Sequence, residues 1–198
     1  AEQSTANFNY YELNISCPNL NIDVDFYPPK NLEELLSAID NLNLSRPVFV
    51  KMPIEESNED MLEMLGVISK HKIRGIILGN LAKSRSNPVL FKEEVERVGK
   101  GNFSGMTTKK RSDELIKLAY ENFGDKLTVV GCGGVFTPED AYRKIRNGAS
   151  LIQLISGLIY NGPLLPAQIN FGLARLLKRD GLTHISEAIG ADTSRGNI

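Results

Sequence analysis

Five short, mostly apolar runs alternate with amphipathic stretches along this chain, and this alternation restricts its possible folds more than any other feature. Runs of this length and composition predict β-strands at residues 10–15, 47–52, 75–80, 127–132 and 150–155. The predicted helices between and after them begin at Asn31, Ser57, Ser112, Thr137 and Pro163. Strands that are each followed by a helix predict a parallel α/β protein.

Chain length and the position of a glycine run decide between the two common parallel architectures. A closed eightfold barrel takes about 250 residues, with roughly 200 as its lower limit, whereas this chain has 198 residues. An open doubly wound sheet carries its glycine loop after the first strand, but the glycine run at 131–134 follows the fourth. The sequence therefore predicts one domain, residues 1–198, with a TIM (β/α)8-type parallel barrel fold. About five βα units of that barrel are present, so the sequence predicts a partial barrel.

Composition excludes several classes of function. With 24 acidic and 23 basic residues, the chain has a net charge of -1, which argues against nucleic acid or anionic lipid as a partner held by bulk charge. It has no run of 18 apolar residues and no signal-like start, so we expect an intracellular protein without a membrane segment. Two cysteines are too few for a disulfide framework, and no metal-binding motif occurs, so no metal site is predicted.

Polar residues follow the first three predicted strands. The catalytic residues of a barrel of this type lie at the C-terminal ends of its strands. Those ends carry Asn14, Cys17 and Asn19, then Lys51, then Asn80. The functional interpretation is a set of amides with one cation and one thiol, whereas the structural alternatives are a buried thiol and a lysine that reaches solvent at the rim.

Glycine and serine residues follow the last two predicted strands. Residues 131–134 allow backbone N–H groups to approach an anion closely, and the N-terminus of the helix at Thr137 adds a positive end. Ser156 and Gly157 offer further donors at the next strand end. Barrels often hold phosphate after their last two strands, so this pattern favours a phosphate site, with a simple tight turn as the alternative.

Taken together, these motifs resemble the dihydroorotate dehydrogenase family. The matching segments, in the family's order, are NISCPN (14–19), VK (50–51), GN (79–80), NFSG (102–105), GCGGV (131–135), GASLIQLISGLIYNGP (148–163) and EAIG (187–190). The resemblance extends from about residue 8 to the end of the chain. Residues 131–163 and EAIG resemble the quinone-linked class 2 enzymes, whereas NISCPN resembles class 1, because class 2 usually has serine in place of Cys17.

The resemblance implies an FMN enzyme of de novo pyrimidine (UMP) biosynthesis that oxidises dihydroorotate to orotate, with quinone as the final acceptor. It implies that Cys17 is the base that takes the C5 proton, and that Asn14, Asn19 and Asn80 bind the substrate. The FMN-binding residues that it implies are Asn14, Lys51, Gly105, Gly133, Gly134, Ile155 and Ser156, with Lys51 beside the N1/O2 edge of the flavin. Class 2 resemblance also implies peripheral association with a membrane.

The sequence departs from the family pattern at three points. Leu81 stands where the family generally has threonine, and Asn102 replaces the first glycine of the usual GGLSG. Nothing in the chain matches the first three strands of the family's barrel. We therefore expect either a missing N-terminal barrel segment or a second chain as a partner, since the chain reads as a piece of a longer protein, a cleavage product or a half-barrel that dimerises.

Three alternative functions remain open from the sequence. The first is a class 1 enzyme that uses fumarate or NAD. The second is a different FMN- or phosphate-binding barrel, which the glycine loop and the fold alone would support. The third is a truncated, non-catalytic homologue of the FMN barrel, which Leu81, Asn102 and the missing strands favour.

Overall fold

Five parallel strands pair in the order of the sequence and form one sheet. The computed structural model describes residues 7–16, 26 and 28–196. The strands are β1 (Tyr11–Asn14), β2 (Val48–Lys51), β3 (Ile73–Leu78), β4 (Thr128–Cys132) and β5 (Leu151–Gln153). Each strand overlaps one of the predicted runs, which confirms the predicted parallel α/β architecture.

Helices connect and follow these strands. They are α1 (Pro29–Asn41), α2 (Asn58–Ile68), α3 (Lys92–Val98), α4 (Met106–Phe123), α5 (Pro138–Arg146), α6 (Ser156–Asn161), α7 (Leu165–Arg179) and a final 3-10 helix (Ile185–Ala188). The predicted helix starts at Ser57 and Thr137 are confirmed. Each of these residues precedes its helix, and its hydroxyl accepts a hydrogen bond from the backbone N–H three residues on, at 3.1 and 3.2 Å.

Two predicted helix starts are wrong. Helix α1 begins at Pro29, because proline already has the φ angle of a helix and needs no hydrogen bond for its nitrogen in the first turn. Asn31 therefore lies inside that turn and does not cap it. Helix α4 begins at Met106, six residues before Ser112, and Ser112 is fully buried within the helix.

The long connection between β3 and α4 is held by hydrogen bonds at both of its ends. Ala82 and Phe103 form an antiparallel bridge with two backbone hydrogen bonds of 2.8 Å. The Glu55 carboxylate, from the connection between β2 and α2, accepts hydrogen bonds from the backbone N–H groups of Lys83 and Ser84, both at 2.9 Å. Both ends of this segment are therefore fixed close to the C-terminal ends of the strands.

The sheet has a helix-covered face and a second, more polar face. Alternate residues of a strand point to opposite faces. Val48 and Val50 of β2 pack in the large core cluster together with residues of α1, α2 and α4. Phe49, between them, belongs to a small separate cluster with Ile77, Val130 and Cys132. This second face is the one that the interior of a complete barrel would enclose.

The sheet is strongly curved toward that second face. Four inter-strand steps of about 4.8 Å would place β1 and β5 about 19 Å apart in a flat sheet. The side chain of Gln153 on β5 nevertheless donates a hydrogen bond to Glu12 on β1, with 2.8 Å between Nε2 and Oε2. This contact requires the two edges to curl toward one another, as the strands of a barrel do.

Among the described residues, β1 and β5 are each paired on one side only. Near the β5 edge and on the two helices that follow it, large apolar side chains are exposed: Leu151, Ile155, Ile159, Tyr160, Leu164 and Phe171. Open edges and exposed apolar surface of this kind are what a barrel lacking some of its strands presents. The partial barrel predicted from the sequence fits this structure.

Candidate functional site

The C-terminal ends of the strands surround a cleft of about 290 Å³. The predicted site residues that line it are Asn14, Lys51, Asn80, Gly105, Gly133, Gly134, Ile155 and Ser156. The structure therefore brings together every predicted site residue within the described ranges. Cys17 and Asn19 lie outside the described residues, so their predicted roles rest on the sequence.

Two of the predicted substrate-binding amides contact each other at the β1 and β3 ends of the cleft. The Asn80 side-chain N–H₂ donates hydrogen bonds to Asn14 Oδ1 at 3.1 Å and to Ser16 Oγ at 2.8 Å. Ser16 is buried, and its hydroxyl donates to the carbonyl oxygen of Lys51 at 3.0 Å. Sequence reasoning missed Ser16, which ties together the ends of three strands and directly precedes Cys17.

Lys51 projects over the concave face of the sheet, and its side chain is only 13% exposed. Its ammonium group donates to Gln153 Oε1 at 2.8 Å and lies 3.2 Å from Glu12 Oε1. The lysine therefore does not extend to solvent at the rim. The sequence analysis did not assign Glu12 to the site. Its position two residues before Asn14 on the same strand was an available signal, because alternate residues of a strand lie on one face.

A glycine loop forms the opposite wall of the cleft. Gly133 and Gly134 have φ angles of +109° and +68°, which side-chain-bearing residues rarely adopt. A Cβ atom at Gly133 would lie 2.7 Å from Thr108 Oγ1, and one at Gly134 would lie 2.4 Å from Lys109 Cβ. The first turn of α4 therefore packs directly against this loop, and only glycine fits at both positions.

Hydroxyl groups and the N-terminus of α4 complete this wall. Gly105, with a φ of +74°, precedes α4, and both it and Thr108 line the cleft. Beside it, the hydroxyls of Ser104 and Ser156 are 2.8 Å apart. Backbone N–H groups at a helix start together with hydroxyls are suited to binding an anion such as phosphate.

The positive helix end comes from α4, whereas the sequence assigned it to the helix at Thr137. Thr137 is not among the residues that line the cleft. Its hydroxyl and the Asp140 carboxylate satisfy backbone N–H groups at the start of α5, with Asp140 accepting from Phe136 N at 3.1 Å. A helix end that already holds a carboxylate is a poor site for a second anion.

Cys132 and the two histidines have partners or burial that give them structural roles. Cys132 lines the cleft, and burial raises the pKa of its thiol, which keeps it neutral. His71 Nδ1 lies 2.9 Å from Asp40 Oδ2, and the His184 ring accepts a hydrogen bond from Ser186 N at the start of the 3-10 helix. Within the described ranges, no three His, Cys, Asp or Glu residues cluster as a metal site would require. No helix there has the length and apolar character needed to cross a bilayer.

The fold and the cleft define this chain as part of a parallel α/β barrel protein, with a polar, glycine-walled site at the C-terminal ends of its strands. The family model for dihydroorotate dehydrogenase matches residues 2–177. The chain belongs to the dihydroorotate dehydrogenase family.

Individual relatives agree with this assignment. The chain is 35% identical over 189 residues to a protein of Thermobifida fusca (strain YX) and 36% identical over 189 residues to one of Trichodesmium erythraeum (strain IMS101). Both are named dihydroorotate dehydrogenase (quinone), and the matches cover 93% and 92% of this chain but 50% of each relative. The chain thus spans about half the length of the curated relatives it matches.

A solved structure supports the fold over nearly the whole chain. The crystal structure of DHODH in complex with ferulenol from Eimeria tenella superposes with a TM-score of 0.83 at 21% sequence identity. The match covers 93% of this chain and 54% of that one. The five strands therefore correspond to a part of a larger barrel.

Proposed function

We propose that this chain provides the FMN- and substrate-binding face of a dihydroorotate dehydrogenase, which oxidises dihydroorotate to orotate in pyrimidine biosynthesis. One observation carries the proposal. Asn14, Lys51, Asn80 and the glycine loop come from separate strands, yet they line a single cleft in a chain of this family. Quinone in the names of the relatives supports quinone as the electron acceptor. A quinone acceptor in turn supports an intracellular protein that associates peripherally with a membrane.

The residues of the cleft fit FMN. At Gly105, Gly133 and Gly134 a Cβ atom would approach neighbouring atoms within 3.3, 2.7 and 2.4 Å, so these positions require glycine, and a glycine backbone lets a phosphate approach closely. Ser156 and the backbone of Ile155 lie beside them in the same cleft. When bound, FMN supplies the acceptor for the hydride that leaves C6 of dihydroorotate.

The polar side chains of the cleft have complementary tasks in this proposal. The amides of Asn14, Asn19 and Asn80 hold the amide-like substrate ring, and Asn14 also contacts the flavin. The Lys51 ammonium stabilises negative charge on the reduced ring. Cys17 takes the C5 proton, so its thiolate is the general base.

This chemistry also requires that the barrel interior be shielded from solvent, because a solvent-filled site weakens every electrostatic contact within it. We propose that about three further βα units pair with the outer edges of β1 and β5, which are unpaired among the described residues. They come from a preceding segment of a longer protein or from a second chain. The exposed apolar side chains near β5 support this arrangement.

An absorption spectrum tests the proposed function most directly. We expect the purified chain with added FMN to retain a flavin band near about 450 nm that bleaches after anaerobic addition of dihydroorotate. A retained band that does not bleach would support the non-catalytic homologue. Absence of bound flavin would show that the described cleft is insufficient without further strands, and the proposal would then fail for this chain on its own.

A class 1 enzyme is the second candidate, because the base position carries Cys17 within NISCPN. The reoxidation of the bleached flavin distinguishes the two classes. Rapid reoxidation by a soluble quinone analogue, with little reaction with fumarate or NAD⁺, is the result we expect. Faster reoxidation by fumarate or NAD⁺ than by the quinone analogue would assign the chain to class 1.

Substituting Gly134 with alanine is expected to weaken FMN binding at least about tenfold. It should also lower the unfolding free energy by about 1–3 kcal/mol, because the new Cβ would clash with α4 and the residue has a left-handed φ. Fluorescence quenching of FMN and urea unfolding measure the two effects. Gly66→Ala is the control, since no atom lies within 4 Å of a Cβ there and alanine favours its helix. Equal FMN affinity in the two variants would remove the glycine loop from the cofactor site.

A further inference from the structure

Two hydrogen bonds and one ion pair join three polar side chains in a ring across the concave face of the sheet. Lys51 Nζ donates to Gln153 Oε1 at 2.8 Å and lies 3.2 Å from Glu12 Oε1. Gln153 Nε2 donates to Glu12 Oε2 at 2.8 Å, which completes the ring. The three residues come from β2, β5 and β1, so the ring spans the curved sheet from one edge to the other.

The ring fixes the direction of the Lys51 ammonium. An ammonium group has three N–H donors. One is donated to Gln153, and the Glu12 carboxylate forms an ion pair with the group at 3.2 Å. The ammonium therefore keeps donor capacity for a ligand in the cleft that Lys51 lines. Gln153 must be an amide for this arrangement, because its oxygen faces a cation and its N–H₂ group faces a carboxylate.

The ring also determines the net charge beside that ligand. The side chains of Lys51 and Glu12 are only 13% and 27% exposed, so their charges are less screened than those of a surface pair. The carboxylate at 3.2 Å offsets much of the positive potential of the ammonium. The neighbouring Cys132 thiol adds no charge, since burial raises its pKa.

We infer that Glu12 and Gln153 are positioning residues that set how strongly Lys51 stabilises negative charge on the bound flavin. Gln153 orients the ammonium, and Glu12 limits its effective charge. The inference rests on the proposed function, because it places the flavin ring beside Lys51. It adds an acidic residue and an amide to a site in which the resemblance assigns this task to the lysine alone.

Sulfite provides a test that does not depend on turnover. Its sulfur lone pair forms a bond to N5 of oxidised flavin, the displaced electron pair becomes a negative charge over N1 and O2, and the visible band bleaches. Glu12→Gln removes the offsetting charge with little change of shape, so we expect sulfite to bind about tenfold more tightly. Gln153→Glu adds a carboxylate to the ring, so we expect sulfite to bind about tenfold more weakly.

The opposite signs separate positioning from a merely structural role, because damage to the fold would weaken sulfite binding in both variants. Glu63→Gln is the matched control, since Glu63 is exposed on α2. Its sulfite affinity should equal that of the wild type. Unchanged affinity in both ring variants, with FMN still bound, would overturn the inference and leave the proposed function intact.

A second readout needs no flavin. In the ligand-free protein, the side-chain N–H₂ signals of Gln153 in a ¹H–¹⁵N spectrum should shift in Glu12→Gln but not in Glu63→Gln. Failure of the wild type to bind FMN would contradict the proposed function while this measurement still tests the ring. Gln153 signals that do not respond to Glu12→Gln would overturn the inference by themselves.

Discussion

Replacing Cys17 with alanine is expected to lower the rate of dihydroorotate oxidation by about 10²- to 10⁴-fold while FMN affinity stays the same, because the variant loses the general base but keeps the cofactor site. Single-turnover bleaching of the flavin by dihydroorotate measures the rate of the chemical step, and fluorescence quenching measures the affinity. Wild-type rates in Cys17→Ala would show that another group removes the C5 proton. Loss of FMN binding would instead place Cys17 in the cofactor site.

The Cys17→Ser variant shows which property of the thiol matters. A free cysteine has a pKa of about 8.5, whereas a serine hydroxyl loses its proton only at far higher pH. The thiol therefore remains an effective base at lower pH, and the rate of Cys17→Ser should begin to rise at higher pH than that of the wild type. Superimposable pH profiles would contradict the assignment of the thiolate as the base.

Strand positions and two helix caps were predictable because each depends on neighbouring residues. A buried parallel strand reads as a short apolar run, and Ser57 and Thr137 lie directly before the amides that they cap. Helix α3 was missed because it buries no residue, so it has no apolar periodicity to detect.

The candidate site was predictable only in part, since strand order determines which residues share a cleft but curvature determines which of them touch. Parallel strands bring Asn14, Lys51 and Asn80 to one end of the sheet, as the sequence indicated. The contact between Glu12 and Gln153 joins residues 141 positions apart across the concave face. No local pattern carries that information.

Buried polar residues on helices were the other kind of feature that the sequence concealed. Lys144 on α5 is fully buried, and its ammonium lies 2.7 Å from Asp113 Oδ1 and 2.8 Å from Ser112 Oγ. The Ser112 hydroxyl in turn donates to the carbonyl oxygen of Cys132 at 2.6 Å, at the end of β4. This network supports the glycine loop from the helix-covered side of the sheet.

Substituting Asp113 with asparagine is expected to lower the unfolding free energy by about 3 kcal/mol, because it leaves a buried ammonium without its counter-charge. Lys144→Met should cost no more than about 1 kcal/mol, since it removes the buried charge while Asp113 keeps its ion pair with Arg143 at 3.0 Å. Urea unfolding at pH 7 measures both. The double variant should have the unfolding free energy of Lys144→Met, because without the lysine there is no unpaired buried ammonium to destabilise the fold.

Alkaline pH should reverse part of the loss in Asp113→Asn. Burial lowers the pKa of Lys144, and the Asp113 carboxylate opposes that shift. Between the lowered pKa and the ordinary value of about 10.4, the unfolded chain binds the proton that the folded chain has released, so stability rises with pH. The rise should be steeper in Asp113→Asn, whose lysine pKa is lower still.

An exposed ion pair supplies the comparison for this network. Glu94 and Arg97 on α3 lie 3.1 Å apart with both side chains largely exposed, so Glu94→Gln should change the unfolding free energy by less than about 1 kcal/mol at any pH. Burial, and not the number of ion pairs, then decides the cost of removing a carboxylate. If Asp113→Asn lowered the unfolding free energy no more than Glu94→Gln does, Lys144 would already be neutral in the folded protein. An uncharged Lys144 would then make the hydrogen bond to Ser112 that supports the end of β4.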